Sequence, residues 1–162
     1  MPHNLDTLNN DELIAAYGDL VRLFKIRGII RTKNVVGDIG ETLAITHYGK
    51  TPGLPRLVRA PANTTDIDAL AGKDRYSIKC TTGNRTSAFH LDEKLSTDYS
   101  GRPAFEHAIV VMLADDYRVK RIQQFSWREF LESKKWSKRQ KAWFIPLTRE
   151  VLCRGREIYV AP

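Results

Sequence analysis

The sequence predicts a single α/β domain, and three observations predict it. Apolar residues recur at helical spacing over most of the first fifty positions, which reads as amphipathic helix. Alternating and continuous β-branched runs follow them, which read as strands. The 162 residues suit one domain with a core of its own, and they contain neither an internal repeat nor a low-complexity linker.

The first helix is expected over Asn10–Arg27, where Leu13, Ile14, Tyr17, Leu20, Val21 and Phe24 form one stripe. Asn9 or Asn10 supplies its N-cap, Asp11 and Glu12 favour its first turn, and Gly28 ends it. Ile29–Asn34 is a connector that gathers Arg31, Lys33 and Asn34. A second helix runs from about Val36–Asp38 to Tyr48, with Ile39, Leu43 and Ala44 toward the core and Glu41 at the margin of that stripe. Gly37 and Gly40 each cost such a helix up to ~1 kcal/mol relative to Ala. They imply either a close approach of backbone to a neighbour or a loosely formed first turn.

Residues 49–63, rich in Pro and Gly, read as loop, with Leu57–Val58 a short edge strand. Asp66–Leu70 then alternates polar and apolar, Ala71–Asp74 carries turn residues, and Arg75–Cys80 alternates again: a hairpin. On it Asp66 and Asp68 share one face and Ser77 and Lys79 share one face of the partner strand. Carboxylates facing an ammonium group at a sheet end suit a divalent metal and a phosphate, and equally an ordinary cross-strand ion pair. Residues 83–87 are polar loop, 88–91 a brief strand or helix start, and 92–103 exposed connection. Phe105–Leu113, the most apolar stretch, is expected to be a central strand buried on both faces. A turn at Ala114–Tyr117 leads to a strand over Arg118–Phe125. A short helix over Trp127–Ser133 follows, capped by Ser126 with Glu129 closing a capping box. The basic segment Lys134–Lys141 contains Trp136. Ala142–Ile145 reads as a strand, and Thr148–Cys153 as a last helical turn before Gly155.

Composition narrows the function classes. Hydrophobic residues at 42% and charged residues at 28% exclude a mostly disordered chain. No apolar run approaches the ~20 residues of a membrane span, and the N-terminus lacks the order of a signal peptide. Cys80 and Cys153 form no zinc pattern, so a reducing cytoplasm is the expected setting. A net charge of +7 and a pI near 9.5 favour a polyanionic partner, nucleic acid first. His3, His47, His90 and His107 have no ligand spacing. Cys80 beside Lys79 is read as a small core residue, with a thiol nucleophile as the alternative.

Gly37-Asp38-Ile39-Gly40-Glu41 on a helix, Thr65-Asp66-Ile67-Asp68-Ala69, and Tyr76-Ser77-Ile78-Lys79 together resemble the PD-(D/E)xK nuclease superfamily, the restriction-endonuclease-like fold. Arg31-Thr32-Lys33-Asn34 followed by Gly37-Asp38 and Glu41 is more closely similar to small bacterial domains of that superfamily. The resemblance covers roughly residues 27–82. It implies a mixed β-sheet flanked by helices and cleavage of DNA dependent on Mg²⁺, with Mn²⁺ as the substitute. Carried over by position, Glu41, Asp66 and Lys79 are the catalytic residues, and Glu41, Asp66 and Asp68 the metal ligands. Asp66 is favoured over Asp68 because it stands thirteen residues before Lys79, ahead of an apolar strand. Ser77 departs from the pattern, which has Asp or Glu there. Some members carry Gln at that position, and others move the acid to a helix, a task that falls here to Glu41. The alternative reading is a nuclease-like domain that binds DNA or protein with its catalysis weakened. Candidate nucleic-acid contacts are Arg31, Lys33, Asn34 and Arg85 flanking the site, and Lys134, Lys135, Trp136, Lys138 and Arg139 in the basic segment. Many members act as homodimers, though no dimer interface can be read from the residues themselves.

Overall fold

The Phe105–Leu113 run does become the centre of the sheet. The computed structural model, which describes residues 4–61, 64–95 and 101–162, places β4 (His107–Leu113) between a parallel neighbour, β3 (Asp74–Thr81), and an antiparallel one, β5 (Val119–Ser126). Ile109, Val111 and Leu113 fill one face, and Ala108 and Val110 the other. A strand covered on both sides has no use for polar alternation, hence the unbroken apolar run.

Outside β3 lie β2 (Ala69–Ala71) and β1 (Val58–Arg59), and outside β5 lies β8 (Arg156–Val160). The six strands run in the order β1-β2-β3-β4-β5-β8, with only β3 and β4 parallel. The expected mixed sheet flanked by helices is therefore present. Helix α2 (Val35–Lys50) covers one face, setting Ala44 and Tyr48 against Tyr76, Ile78 and Ile109. Helix α3 (Trp127–Ser133) covers the other, where Phe130 packs among Phe89, Phe105 and Trp127. Its capping box of Ser126 and Glu129 forms as expected. The short α4 (Arg149–Leu152) precedes β8.

Helix α1 (Asn10–Ile26) has the predicted span and a capping box of Asn9 and Glu12. A 3₁₀ turn over Leu5–Thr7 precedes it. Two strands were not anticipated. β8 has only the short apolar run Ile158–Val160 after charged Arg156 and Glu157, a pattern that suits a sheet edge. β6 (Lys135–Ser137) lies inside the basic segment and pairs with β7 (Ala142–Phe144) in a separate hairpin.

The hairpin around Gly72 needs one correction. β2 and β3 are joined as expected, with Ala71 opposite Asp74 and Gly72 at a φ of +60°. The strand begins only at Ala69, however, and Asp66 sits in a tight turn with a φ of +58°. Asp is among the few residues whose short polar side chain tolerates that conformation. Asp66 and Asp68 therefore do not share a strand face. His3, Asn63 and part of the 92–103 connection fall outside the described residues.

Candidate functional site

The site begins in the loop ahead of α2. Asp38 is buried, and its Oδ2 accepts hydrogen bonds from the Arg31 and Thr32 backbone N–H groups at 2.8 and 2.7 Å and from the Thr32 hydroxyl at 3.0 Å. Asn34 caps the helix by accepting the Gly37 N–H. A Cβ at Gly37 would lie 2.3 Å from Asn34 Nδ2, so glycine leaves room for the capping side chain to sit in place. The Arg31–Asn34 connector is thus tied to the helix it precedes, and the Arg31 guanidinium reaches Glu41 Oε2 at 2.8 Å.

One turn on, Gly40 lets α2 lie flush on β3. A Cβ at this position would be 2.3 Å from Cys80 Cβ and 2.7 Å from its sulfur. For Gly40 close approach to a neighbour is the correct one of the two readings, whereas Gly37 meets only the capping side chain of Asn34. The contact brings Glu41, the next residue, down against the sheet with only 14% of its side chain exposed. Arg59 of β1 joins it, with Nε 3.7 Å from the same carboxylate and further hydrogen bonds to Thr42 Oγ1 and the Gly28 carbonyl.

Asp68 sits just beyond the end of β2. Its backbone N–H pairs with Tyr76, and its carboxylate accepts the Ile78 N–H at 2.6 Å, so the side chain extends the ladder where backbone pairing stops. Burial raises the Asp68 carboxyl above the ordinary Asp value and the Asp66 charge adds to this, against the opposing pull of the Ile78 N–H, Lys79 and Arg31. Burial likewise raises Glu41, and the Asp68 charge raises it further despite Arg31 and Arg59. Each carboxylate is held at a cost that its neighbours only partly offset. The two carboxylates are thus coupled to each other's surroundings through Arg31, with Arg59 acting on Glu41 and Lys79 acting on Asp68 alone. Asp66 acts on Asp68 through its charge, from the turn, which makes Asp68 the better placed of the two acids.

Lys79 points to the opposite face of β3 from Cys80, with Nζ 5.0 Å from the centre of the Phe89 ring. Ser77 shares that face, is wholly buried, and its hydroxyl has no hydrogen-bond partner. The position where the pattern has an acid is sealed beneath the sheet surface. Cys80 is buried and its thiol pushed up to about 12, so it serves as core and not as a nucleophile. His47 stacks on Tyr159, His107 lies against Tyr76, and His90 is exposed. Among the described residues no group of three or more His, Cys, Asp or Glu side chains converges in a metal-binding arrangement.

The basic candidates divide into two groups. Arg31 bonds Glu41, Lys33 is exposed beside it, and Asn34 is occupied as a helix cap. The second group surrounds the β6–β7 hairpin, which is joined to the site by backbone pairing of Phe89 with Trp143. There Trp136 packs edge-on to Trp143, Lys134 lies over the Trp143 ring at 4.3 Å, and Arg85 lies over Phe144 at 5.0 Å. Lys135, Lys138 and Arg139 are exposed on the same hairpin. Asp38 and Arg59 are the contributors that sequence reasoning missed. Asp38 lay within the recognised motif without an assigned role, whereas Arg59 gave no local signal. No helix among the described residues is long and apolar enough to cross a membrane. Compared with models of known protein families the chain matches none, and no curated protein matches it either.

Proposed function

We propose that this chain is a divalent-metal-dependent deoxyribonuclease of the PD-(D/E)xK kind, with Glu41, Asp68 and Lys79 at its centre. The observation that carries the reading is the half-buried pair of carboxylates Glu41 and Asp68, both held above their ordinary values by burial, with Arg31 acting on both and Lys79 on Asp68. Mg²⁺ is commonly held by one or two carboxylates and keeps several waters for itself, so a two-carboxylate site fits it and Mn²⁺. Glu41 and Asp68 would hold the ion, which supplies a water acidic enough to attack phosphorus and charge to stabilise the leaving oxygen. Lys79, whose charge acts on Asp68, would orient that water or neutralise charge developing on the phosphate. Arg31 and the exposed Lys33 offer donors to a neighbouring backbone phosphate. The hairpin with Trp136, Lys138 and Arg139 supplies further phosphate contacts and an aromatic surface for a base. A DNA substrate in a reducing cytoplasm accords with the basic charge and the two free cysteines.

Ser77 favours a second reading. A buried neutral hydroxyl adds no charge to the site, which fits a domain that binds DNA or protein with weakened catalysis. Incubation of plasmid and single-stranded DNA with Mg²⁺ or Mn²⁺ separates the two. The nuclease reading predicts cleavage that depends on the metal and falls at least ~100-fold in Lys79→Ala, the range expected of a general catalytic group. Salt-sensitive binding with no cleavage, unchanged by Asp68→Ala and needing no divalent ion, supports the second reading and rejects the first.

A further inference from the structure

Around Arg31 the chain forms a recess of about 630 Å³ lined by Lys25, Gly28, Ile30, Arg31, Thr32 and Lys33. Three of these six residues are cationic and none is acidic. The sequence builds the recess around one turn. Helix α1 ends at Ile26, and Gly28 adopts a φ of +68°, which glycine takes without strain. Past that turn, the Arg31–Lys33 connector lines the same space as Lys25 of the last helical turn. Buried Ile30 anchors the connector, and Asp38 holds the Arg31 and Thr32 backbone N–H groups at 2.8 and 2.7 Å. Glu41 Oε2 accepts from Arg31 Nη2 at 2.8 Å, the only bond to that guanidinium among the described residues. The other donors of the fork are left for a ligand. Lys25 and Lys33 are exposed and form no ion pair among the described residues. Three like charges around one recess repel one another, and a bound anion relieves that repulsion.

We infer that Lys25, Arg31 and Lys33 bind a phosphomonoester, the dianionic phosphate at the end of a nucleic-acid strand or on a free nucleotide. Charge selects it. Lys25, Arg31, Lys33 and Arg59 stand against the carboxylates of Asp38 and Glu41, which leaves two positive charges uncompensated. A phosphomonoester carries about −1.5 to −2 at pH 7, whereas a phosphodiester inside a strand carries a single charge. The donors agree with this. A phosphomonoester presents three terminal oxygens, and the recess offers three separate cationic side chains, one of them a guanidinium suited to bidentate contact. Arg31 is held by backbone and by side chain before any ligand arrives, which lowers the entropy cost of binding. The recess has the volume of a small-molecule pocket, enough for the phosphate and the sugar that carries it. Because Glu41 bonds the same guanidinium, a strand end seated here lies one side chain away from the proposed catalytic carboxylates. That last consequence rests on the nuclease reading; the phosphate site itself does not.

Fluorescence anisotropy of the full chain with a short labelled DNA strand, ended once by phosphate and once by hydroxyl, tests it. A chelator keeps divalent ions out, so cleavage plays no part. The phosphate-ended strand should bind at least ~10-fold more tightly, the worth of one charge-assisted hydrogen bond, and inorganic phosphate should erase that preference in competition. Lys25→Glu and Lys33→Glu, both at exposed positions, should each remove most of the preference while the far-ultraviolet circular dichroism is retained. Direct titration with deoxythymidine monophosphate identifies the source. Affinity comparable to that of the phosphate-ended strand points to a free nucleotide, and affinity at least ~10-fold weaker points to a strand end. Equal binding of the two strands, together with no binding of the monophosphate, overturns the proposal. So does a preference that both lysine substitutions leave unchanged. A phosphate preference in a chain that cuts no DNA keeps this site and rejects the nuclease reading, whereas metal-dependent cutting with neither preference nor monophosphate binding does the reverse.

Discussion

Gly40→Ala sets two effects of known sign against each other. Ala is favoured over Gly in a helix interior by ~1 kcal/mol, so α2 considered alone predicts a more stable protein. The added Cβ, however, would sit 2.3 Å from Cys80 Cβ, where ordinary contact begins at 3.4 Å. Cys80 Cβ is fixed to the backbone of an interior strand and cannot rotate away, so α2 and β3 must separate by about 1 Å. Overpacking of this kind costs ~1–3 kcal/mol, which outweighs the ~1 kcal/mol propensity gain and leaves a net loss centred on about 1 kcal/mol. For a domain of this size that lowers the thermal midpoint by several degrees, at ~2–4 °C per kcal/mol. Cys80→Ala in the same chain should not rescue it, because the sulfur at 2.7 Å is removed while the Cβ at 2.3 Å remains. Glu41 follows Gly40 directly, so the variant should also bind Mn²⁺ more weakly. Calorimetric melting with a Mn²⁺ titration checks both expectations. A midpoint equal to or above wild type would refute the reasoning about how α2 sits on the sheet.

Asp68→Asn tests the electrostatics through pH. Because burial raises the Asp68 carboxyl, the folded chain holds that proton more tightly than the unfolded one. The wild type therefore loses stability as pH rises from the ordinary Asp value of 3.8 through the raised one. Asn cannot ionise and can still accept the Ile78 N–H, so the variant should gain on the wild type across that window and match it most closely below it. A stability difference that does not change with pH, followed by urea melts between pH 3 and 7, would remove Asp68 from the half-buried pair. In the hairpin, Lys138→Glu combined with Arg139→Glu should weaken DNA binding and reduce the slope of log affinity against log salt by about 2. An unchanged slope would place the DNA elsewhere.

What was legible in the chain followed the signals that act locally. Helical spacing and the Asn9 and Ser126 caps located α1 and α3, and the β-branched run located the central strand. Gly37 and Gly40 signalled close approach, but which neighbour they met depended on Asn34 and on a strand forty residues away. Asp66 was misplaced because alternation cannot reveal a positive φ, and the turn that Asp66 occupies breaks the strand before Asp68. Arg59 reaches Glu41 only once β1 lies beside β2, a long-range pairing with no trace in the residues around either. β6 and β8 are short, charged and at edges or in a separate ribbon, where apolar periodicity is weakest.

The central claim is that Glu41 and Asp68 together form a binding site for a divalent ion. Isothermal titration of the full chain with Mn²⁺, alongside Glu41→Gln and Asp68→Asn, tests it most directly. The account predicts one ion bound per chain by the wild type and at least ~10-fold weaker binding by either variant, since one carboxylate alone leaves the ion mostly to water. Wild type that binds no Mn²⁺, or binding that survives both substitutions, would contradict it.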